Sequence, residues 1–82
     1  YVYILKSLKD GNFYIGYTND LKRRILEHNG GMSKSTKSRA PFELKYYESF
    51  SDKQDAVSRE YQLKKNGRAL AQLKNRAKNS LL

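Results

Sequence analysis

The chain has 82 residues, with 17 Lys or Arg and 8 Asp or Glu, and its net charge of +9 favours a polyanionic partner, above all nucleic acid. At this length it is expected to form one domain, residues 1–82, whose site is a surface cleft, because a small chain buries only about 60% of its unfolded surface. The absence of Cys excludes disulfides and thiolate zinc sites and fits a cytoplasmic protein, and no apolar run approaches the roughly 18 residues of a membrane span, so no membrane partner is expected.

Two strands are predicted over residues 1–8 (YVYILKSL) and 12–18 (NFYIGYT), because both runs are rich in aromatic and β-branched residues. Between them, Asp10-Gly11 is a strong signal for a two-residue hairpin turn, which requires positive φ at both positions. The first two strands are therefore expected to form an antiparallel hairpin.

This hairpin is expected to bring tyrosines to one face of the sheet. The two-residue turn pairs Tyr3 with Thr18 and Ser7 with Tyr14, so that odd positions of the first strand share a face with even positions of the second. Gly16 removes a side chain from that face and allows a close approach to the sheet. The residues on this face are Tyr1, Tyr3, Tyr14 and Gly16.

The rest of the chain predicts one more strand and three helices. Asn19 or Asp20 can cap a helix over about 21–29, and a polar, basic loop follows over 30–41, with room for a short helical turn. A third strand over 43–50 precedes a helix over about 53–66, which Ser51 and Gln54 introduce as a capping box. A last helix over 69–79 points Leu70, Leu73 and Ala77 inward. The order predicts an α+β fold, a small three-stranded antiparallel sheet flanked by helices.

Glu60 is the most unusual residue of the helix predicted after the third strand. It projects into the stripe formed by Ala56, Val57, Tyr61 and Leu63, where a carboxylate is costly unless it is paired or holds a metal. With no Cys and a single His, a metal would be bound by carboxylate oxygen and water, which indicates Mg²⁺ or Mn²⁺. The alternative is a salt bridge to a neighbouring Lys or Arg.

Arg24 and His28 are four residues apart and share a helix face. A guanidinium there can bind a phosphate bidentately, and a histidine can relay a proton, but a solvated basic helix gives the same pattern. Tyr3 and Tyr14 can be packing residues, and either could act as a general base only if its pKa, ordinarily about 10, were lowered.

A set of basic residues is a candidate for contacts with the phosphate backbone. The loop over 30–41 is basic and carries no acid, and after Glu60 the chain also carries cations and no acid. Solubility is the alternative explanation for these charges. The candidates are Lys22, Arg23, Lys34, Lys37, Arg39, Lys64 and Lys65.

Taken in order, these residues resemble the GIY-YIG nuclease domain. Tyr1-Val2-Tyr3 stands at the first triplet of that family, as a variant of Gly-Ile-Tyr, and Tyr14-Ile15-Gly16 is its second triplet. Arg24, His28 and Glu60 stand at the arginine, histidine and glutamate positions. The segment Arg39–Leu44 resembles the approach to the third strand in short stand-alone members, and the likeness runs from residue 1 to about 66.

The resemblance implies cleavage of a DNA phosphodiester with one divalent metal, Mg²⁺ or Mn²⁺, held by Glu60. It implies that Tyr3 takes a proton from the attacking water or hydrogen-bonds to it, and that Tyr14 orients the water or the phosphate. By the same likeness Arg24 stabilises the pentacovalent transition state and His28 assists proton transfer.

The chain also departs from the family pattern. Some repair members have Lys where this chain has Tyr17, and several use an Asn beyond the glutamate, for which Asn66 and Asn75 are both candidates. Family members usually take specificity from an attached DNA-binding domain, so a protein partner could supply it here.

Three functional hypotheses follow. The first is a metal-dependent DNA endonuclease, structure-selective or weakly sequence-selective, in repair, recombination or processing of DNA. The second is a catalytically weak or inactive nucleic-acid-binding module of the same fold, with RNA as a possible ligand. The third is a basic assembly protein, which would leave Glu60 unexplained.

Overall fold

A computed structural model describes residues 1–82 and confirms the α+β fold in the predicted order of strands and helices. Strands β1 (Val2–Ser7), β2 (Phe13–Tyr17) and β3 (Phe42–Glu48) form one antiparallel sheet in the order β2-β1-β3, so β1 is central and β2 is an edge. No helix of the structure combines the length and the hydrophobicity that a membrane span requires.

The hairpin register differs from the expected one by two residues. Tyr3 pairs with Gly16 and Leu5 with Tyr14, so the predicted pairs of Tyr3 with Thr18 and Ser7 with Tyr14 are wrong. The reason is a longer loop, in which the Ser7 hydroxyl accepts hydrogen bonds from the backbone N–H groups of residues 9 and 10, both at 3.1 Å. A shift of two preserves the faces of a strand, so the tyrosines still share one side of the sheet.

The end of that loop depends on Gly11. Its φ is +74°, a left-handed conformation that glycine adopts without steric cost, and its N–H donates to the Ser7 carbonyl at 2.9 Å. Asp10 supports the turn, since its carboxylate accepts a 2.8 Å hydrogen bond from the Asn12 N–H. Asp10-Gly11 is therefore part of a turn, as predicted, but of a longer one.

A β-bulge in β3 sets which of its side chains face each side of the sheet. Leu5 pairs with Leu44 and Ile4 with Tyr46, so Lys45 is the extra residue. Because of this irregularity, Leu44 lies with the Tyr3 side of the sheet, while Tyr46 packs with Ile4 on the opposite side.

Helix α1 (Leu21–Asn29) begins where predicted, with Asp20 as its cap: the Asp20 carboxylate accepts a 3.1 Å hydrogen bond from the Arg23 N–H. The loop after α1 contains the expected short helical turn, a 3₁₀ turn at Lys37–Arg39.

Helices α2 (Lys53–Lys65) and α3 (Gly67–Arg76) follow β3. The cap of α2 is Asp52, whose carboxylate accepts from the Gln54 N–H at 2.8 Å, so the predicted cap Ser51 is wrong. Asn66 caps α3, which starts two residues before the predicted position 69 because its side chain accepts from the N–H groups of Arg68 and Ala69.

Two apolar clusters lie on opposite sides of the sheet. On one side, α1 covers Tyr3, Leu5 and Phe42, and Leu21, Ile25 and Tyr14 pack against them. On the other side, α2 and α3 cover the alternate residues of β1. The buried members of this second cluster are Val2, Ile4, Ala56, Leu63, Leu73 and Leu81, with Leu70 and Ala77 packed against them.

Candidate active site

Tyr3 and His28 form the buried centre of the candidate site. Tyr3 stands on β1 and is 1% exposed, and His28 stands in the last turn of α1 and is fully buried. The Tyr3 hydroxyl lies 3.0 Å from His28 Nε2, so α1 and the central strand are joined by a buried polar contact. Burial lowers the pKa of His28, and the positive charge of Arg24 lowers it further, so its imidazole is neutral at pH 7.

Thr36 was not predicted from the sequence, yet it touches this centre. It is fully buried in the loop after α1, and its Oγ1 lies 2.7 Å from His28 Nδ1. Both ring nitrogens of His28 are therefore occupied, one by Tyr3 and one by Thr36. Nothing in the sequence marks Thr36, because the loop has no periodicity and nine other positions between 30 and 41 are equally polar or small.

Tyr14 lies beside Tyr3 on the same side of the sheet, as expected. Its ring centroid is 6.4 Å from that of Tyr3 and 5.0 Å from that of His28. Gly16 makes this packing possible, because a Cβ built there would overlap the Tyr3 hydroxyl and lie 2.5 Å from Tyr3 Cζ. The expectation that Gly16 allows a close approach holds, and the group that approaches is the Tyr3 phenol itself.

Arg24 lies one turn before His28 on α1 and borders the tyrosine pair. Its Nη1 is 3.1 Å from a Glu27 carboxylate oxygen, which fixes the half-buried guanidinium in place. Burial raises the pKa of the Tyr3 phenol above its ordinary value, and the neighbouring Arg24 guanidinium opposes that rise without cancelling it. Tyr3 therefore keeps its proton at neutral pH in the free protein, and the lowered pKa that a general base requires is not present in this state.

Glu60 approaches the tyrosines from α2, the helix that packs on the opposite side of the sheet. It is half-buried, and its charge also raises the pKa of Tyr3, so the two groups are close enough to interact. The stripe expected around Glu60 is only partly present: Ala56 and Leu63 are buried, but Val57 is 43% and Tyr61 is 60% exposed. Helix α2 is thus buried along a narrower line than its projection suggests.

The Glu60 carboxylate forms an ion pair with Lys64 at 3.2 Å. Lys64 Nζ also lies over the Tyr14 ring, 5.7 Å from its centroid, so this ion pair stands at the β2 edge beside the tyrosines. The expected salt bridge to a neighbouring Lys is therefore present, and the binding of a metal by Glu60 stays a prediction.

The donor set suits a hydrated Mg²⁺ or Mn²⁺ better than a caged ion. No group of three or more His, Cys, Asp or Glu side chains forms a preformed metal centre. Mg²⁺ keeps several waters and binds through one or two carboxylates together with substrate phosphates, which a single accessible carboxylate such as Glu60 can provide. No cavity is lined by Tyr3, Tyr14 or Glu60.

Most of the basic candidates are exposed and could reach a phosphate. Those with exposed side chains are Lys22, Arg23, Lys34, Lys37, Lys64 and Lys65. Arg39 is different: its Nε is 2.7 Å from the Asp10 carboxylate, and its Nη2 donates to the Phe13 carbonyl at 3.3 Å. Arg39 thus ties the loop to the hairpin. Of the two Asn candidates, Asn66 caps α3, while Asn75 is exposed on that helix.

Comparisons with known proteins point to one family. A family model described as the GIY-YIG catalytic domain matches residues 1–75. A UPF0213 protein of Clostridium perfringens is 52% identical over 66 residues, which are 79% of this chain and 70% of the relative. A UPF0213 protein of Halobacterium salinarum is 44% identical over 70 residues, 84% of this chain and 90% of the relative.

The match does not always extend over the whole relative. A UPF0213 protein of Bacillus pumilus is 48% identical over 65 residues, which are 78% of this chain but 65% of that protein. No solved structure matches this chain. From the family match over most of the chain and from these relatives, it follows that the chain belongs to the GIY-YIG catalytic domain family.

Proposed function

We propose that this protein is a metal-dependent DNA endonuclease that is structure-selective or weakly sequence-selective and works in repair, recombination or processing of DNA. The observation that carries the proposal is that Tyr14 packs against the Tyr3–His28 pair and also contacts Lys64 of the Glu60–Lys64 ion pair. The net charge of +9 supports an electrostatic attraction to the substrate.

Glu60 is the residue that would hold the divalent ion, and that ion supplies neutralisation of the charge on the scissile phosphate. Lys64 occupies the Glu60 carboxylate in the free protein and is long enough to turn to a DNA phosphate when a cation takes its place. Arg24, held by Glu27, is positioned to bind the phosphate and to stabilise the negative charge that builds up on it in the transition state.

Tyr3 is proposed to receive the proton of the attacking water, and Tyr14 to orient the water or the phosphate. Because the Tyr3 side chain is 1% exposed, a neighbouring side chain has to move before water reaches its hydroxyl. Because burial raises the pKa of Tyr3, only a small fraction is ionised at pH 7, and the cleavage rate should rise about tenfold per pH unit below that pKa.

The experiment is cleavage of plasmid and branched DNA with Mg²⁺ or Mn²⁺. Glu60→Gln, Arg24→Ala and Tyr3→Phe should each lower the rate by about 10²-fold or more, in line with the loss of a transition-state donor or a proton-transfer group. Matched controls are Glu43→Gln, Arg68→Ala and Tyr47→Phe, which change the same residue types at exposed positions. Equal rates for all seven proteins, or no cleavage by the wild type, would refute the nuclease proposal.

A second candidate function has one observation in its favour. In the free protein the Glu60 carboxylate is already paired with Lys64, as it would be in a module that binds nucleic acid without a metal and without cutting it. That alternative predicts salt-dependent DNA binding that survives Glu60→Gln, with no nicking at any metal concentration. Measuring binding and cleavage on the same DNA separates the two functions.

A further inference from the structure

We propose that Thr36 is a positioning residue that holds His28 in the tautomer with its hydrogen on Nε2, so that His28 donates a hydrogen bond to the Tyr3 oxygen. Its consequence for cleavage rests on the proposed function, whereas the tautomer itself does not. The proposal gives the loop between α1 and β3 a part in the site beyond its positive charge.

The imidazole is held so that it cannot exchange its two partners. His28 Nδ1 lies 2.7 Å from Thr36 Oγ1, and Nε2 lies 3.0 Å from the Tyr3 hydroxyl. The rings of Tyr3, Tyr14 and Phe42 surround it, with centroid distances of 5.9, 5.0 and 5.9 Å. His28, Tyr3 and Thr36 are all buried, so no water competes for these contacts.

The lengths of the two contacts indicate the direction of the hydrogen bonds. Thr36 Oγ1 lies 2.7 Å from Nδ1, the length typical of a hydroxyl donor, whereas the Tyr3 oxygen lies 3.0 Å from Nε2, the length typical of an N–H donor. We therefore infer that Thr36 donates, Nδ1 accepts, and the hydrogen of the neutral ring is on Nε2.

The charged surroundings are consistent with a neutral ring. From α1, Arg24 lowers and Glu27 raises the pKa of His28, and burial is the larger cause of its lowered value. The other groups packed against the ring are uncharged: Tyr3 and Tyr14 from the sheet, Phe42 from β3 and Thr36 from the loop.

This tautomer determines what the Tyr3 oxygen can do. It accepts from His28 Nε2–H, so the proton of Tyr3 is not shared with the ring, and it leaves to solvent once a neighbouring side chain has moved and water reaches the hydroxyl. The resulting phenolate keeps the His28 donor and the nearby Arg24 cation, and it then takes a proton from the attacking water. In the opposite tautomer Tyr3 would donate to His28, and its oxygen would lose that donor on ionisation.

The loop has the anchors that such a role requires. Thr36 N–H donates to the Ser33 carbonyl at 3.2 Å, and Arg39, three residues later, is bound to Asp10 at 2.7 Å. The Ser7 hydroxyl also donates to the Arg39 carbonyl, at 2.5 Å. Thr36 is thus fixed to the hairpin that carries Tyr3.

The test uses the fact that His28 is the single histidine of the chain, so its ring nitrogens give unambiguous ¹⁵N NMR signals. We expect the wild type and Thr36→Ser to carry the hydrogen on Nε2, and Thr36→Val to show a mixture of both tautomers. Thr36→Val should lower kcat by about tenfold or more while KM stays within about twofold, and Thr36→Ser should retain most of kcat. Ser35→Ala, at the exposed neighbouring position, is the control.

Each outcome decides the proposal. A wild-type ring with its hydrogen on Nδ1 overturns it whatever the activity, and so does a Thr36→Val variant with an unchanged tautomer and unchanged kcat. If Thr36→Val does not fold, the wild type and Thr36→Ser still give the tautomer. If the wild type cuts no DNA, the nuclease proposal fails, and the ¹⁵N signals still answer the question about Thr36.

Discussion

The contact between Gly16 and Tyr3 makes Gly16→Ala a sharp test of the site geometry. A Cβ at position 16 would overlap the Tyr3 hydroxyl and lie 2.5 Å from Tyr3 Cζ, closer than real side-chain carbons approach. Tyr3 is 1% exposed and its hydroxyl contacts His28, so the phenol cannot move aside without breaking that contact or disturbing the apolar cluster. Gly16→Ala should therefore both destabilise the fold and displace Tyr3.

The size of the effect can be estimated from the two contributions. Overpacking a buried site costs about 1–3 kcal/mol, and loss of the Tyr3–His28 hydrogen bond adds about 0.5–1.5 kcal/mol. We therefore expect a loss of about 2–4 kcal/mol in the free energy of unfolding. In a domain of this size 1 kcal/mol corresponds to roughly 4–8 °C, so Tm should fall by at least about 8 °C.

The assay is urea and thermal unfolding followed by circular dichroism, with Gly67→Ala as the matched control. Gly67 opens α3, a Cβ there has no heavy atom within 4 Å, and its φ is not positive. The same substitution at that position should leave stability unchanged or raise it by about 0.5–1 kcal/mol.

A double-mutant cycle with Tyr3→Phe locates the effect. Removing the phenol oxygen removes the nearest atom to the new Cβ, so Tyr3→Phe should cost less in the Gly16→Ala background than in the wild type. If Gly16→Ala is as stable as the wild type within about 0.5 kcal/mol, or if the cycle shows no coupling, the close packing of Gly16 on Tyr3 is refuted.

Three further predictions concern charged groups. Burial alone would raise the pKa of Glu48, but hydrogen bonds from Arg59 and Tyr46 outweigh burial and lower that pKa. The ionised Glu48 therefore contributes to the stability of the fold above pH 4.5, and this contribution is lost as pH falls through the lowered pKa. Arg59→Gln should therefore cost about 1–2 kcal/mol of stability at pH 7, and the loss should shrink as pH falls below 4.5 and Glu48 becomes protonated, measured by urea unfolding; a loss that stays constant while Glu48 is protonated would contradict this. Lys64→Gln frees the Glu60 carboxylate and should tighten Mn²⁺ binding by about two- to fivefold, the equivalent of an exposed ion pair, measured by paramagnetic broadening of NMR signals, with Lys65→Gln as the unchanged control. Lys34→Gln and Lys37→Gln should each reduce the slope of log affinity for DNA against log salt by about 0.9 if the loop contacts phosphates, while Lys45→Gln, whose ammonium is paired with Glu43, should leave it unchanged.

The elements of the fold could be predicted from the sequence because their signals are local. The aromatic and β-branched content of the first two strands, the acidic cap before α1 and the apolar spacing of α3 each depend on a few neighbouring residues. The register of the hairpin was wrong because the Ser7 hydroxyl stabilises a longer loop, which the Asp10-Gly11 pair does not reveal. The predicted faces of the two strands are nevertheless correct, because a register shift of two residues leaves each side chain on the same side of the sheet.

The sequence singled out candidate site residues but did not reveal their partners in the structure. The position of Glu60 was notable in sequence, but only the structure pairs it with Lys64 and exposes Val57 and Tyr61 beside it. Composition cannot distinguish a free cation from one that is bound, so Arg39 was grouped with the exposed lysines although it is tied to Asp10. Thr36 meets His28 through the path of a loop, which no spacing rule describes.

The central strand serves two layers at once. Val2 and Ile4 point into the cluster under α2 and α3, the layer that carries Glu60, while Tyr3 and Leu5 point into the cluster under α1, the layer that carries His28. Substitutions at adjacent positions of β1 will therefore affect different layers, and so different candidate site residues. A cavity at Ile4 loosens the support of the acid, and a cavity at Leu5 loosens the support of the imidazole, although their Cα atoms are neighbours in the chain.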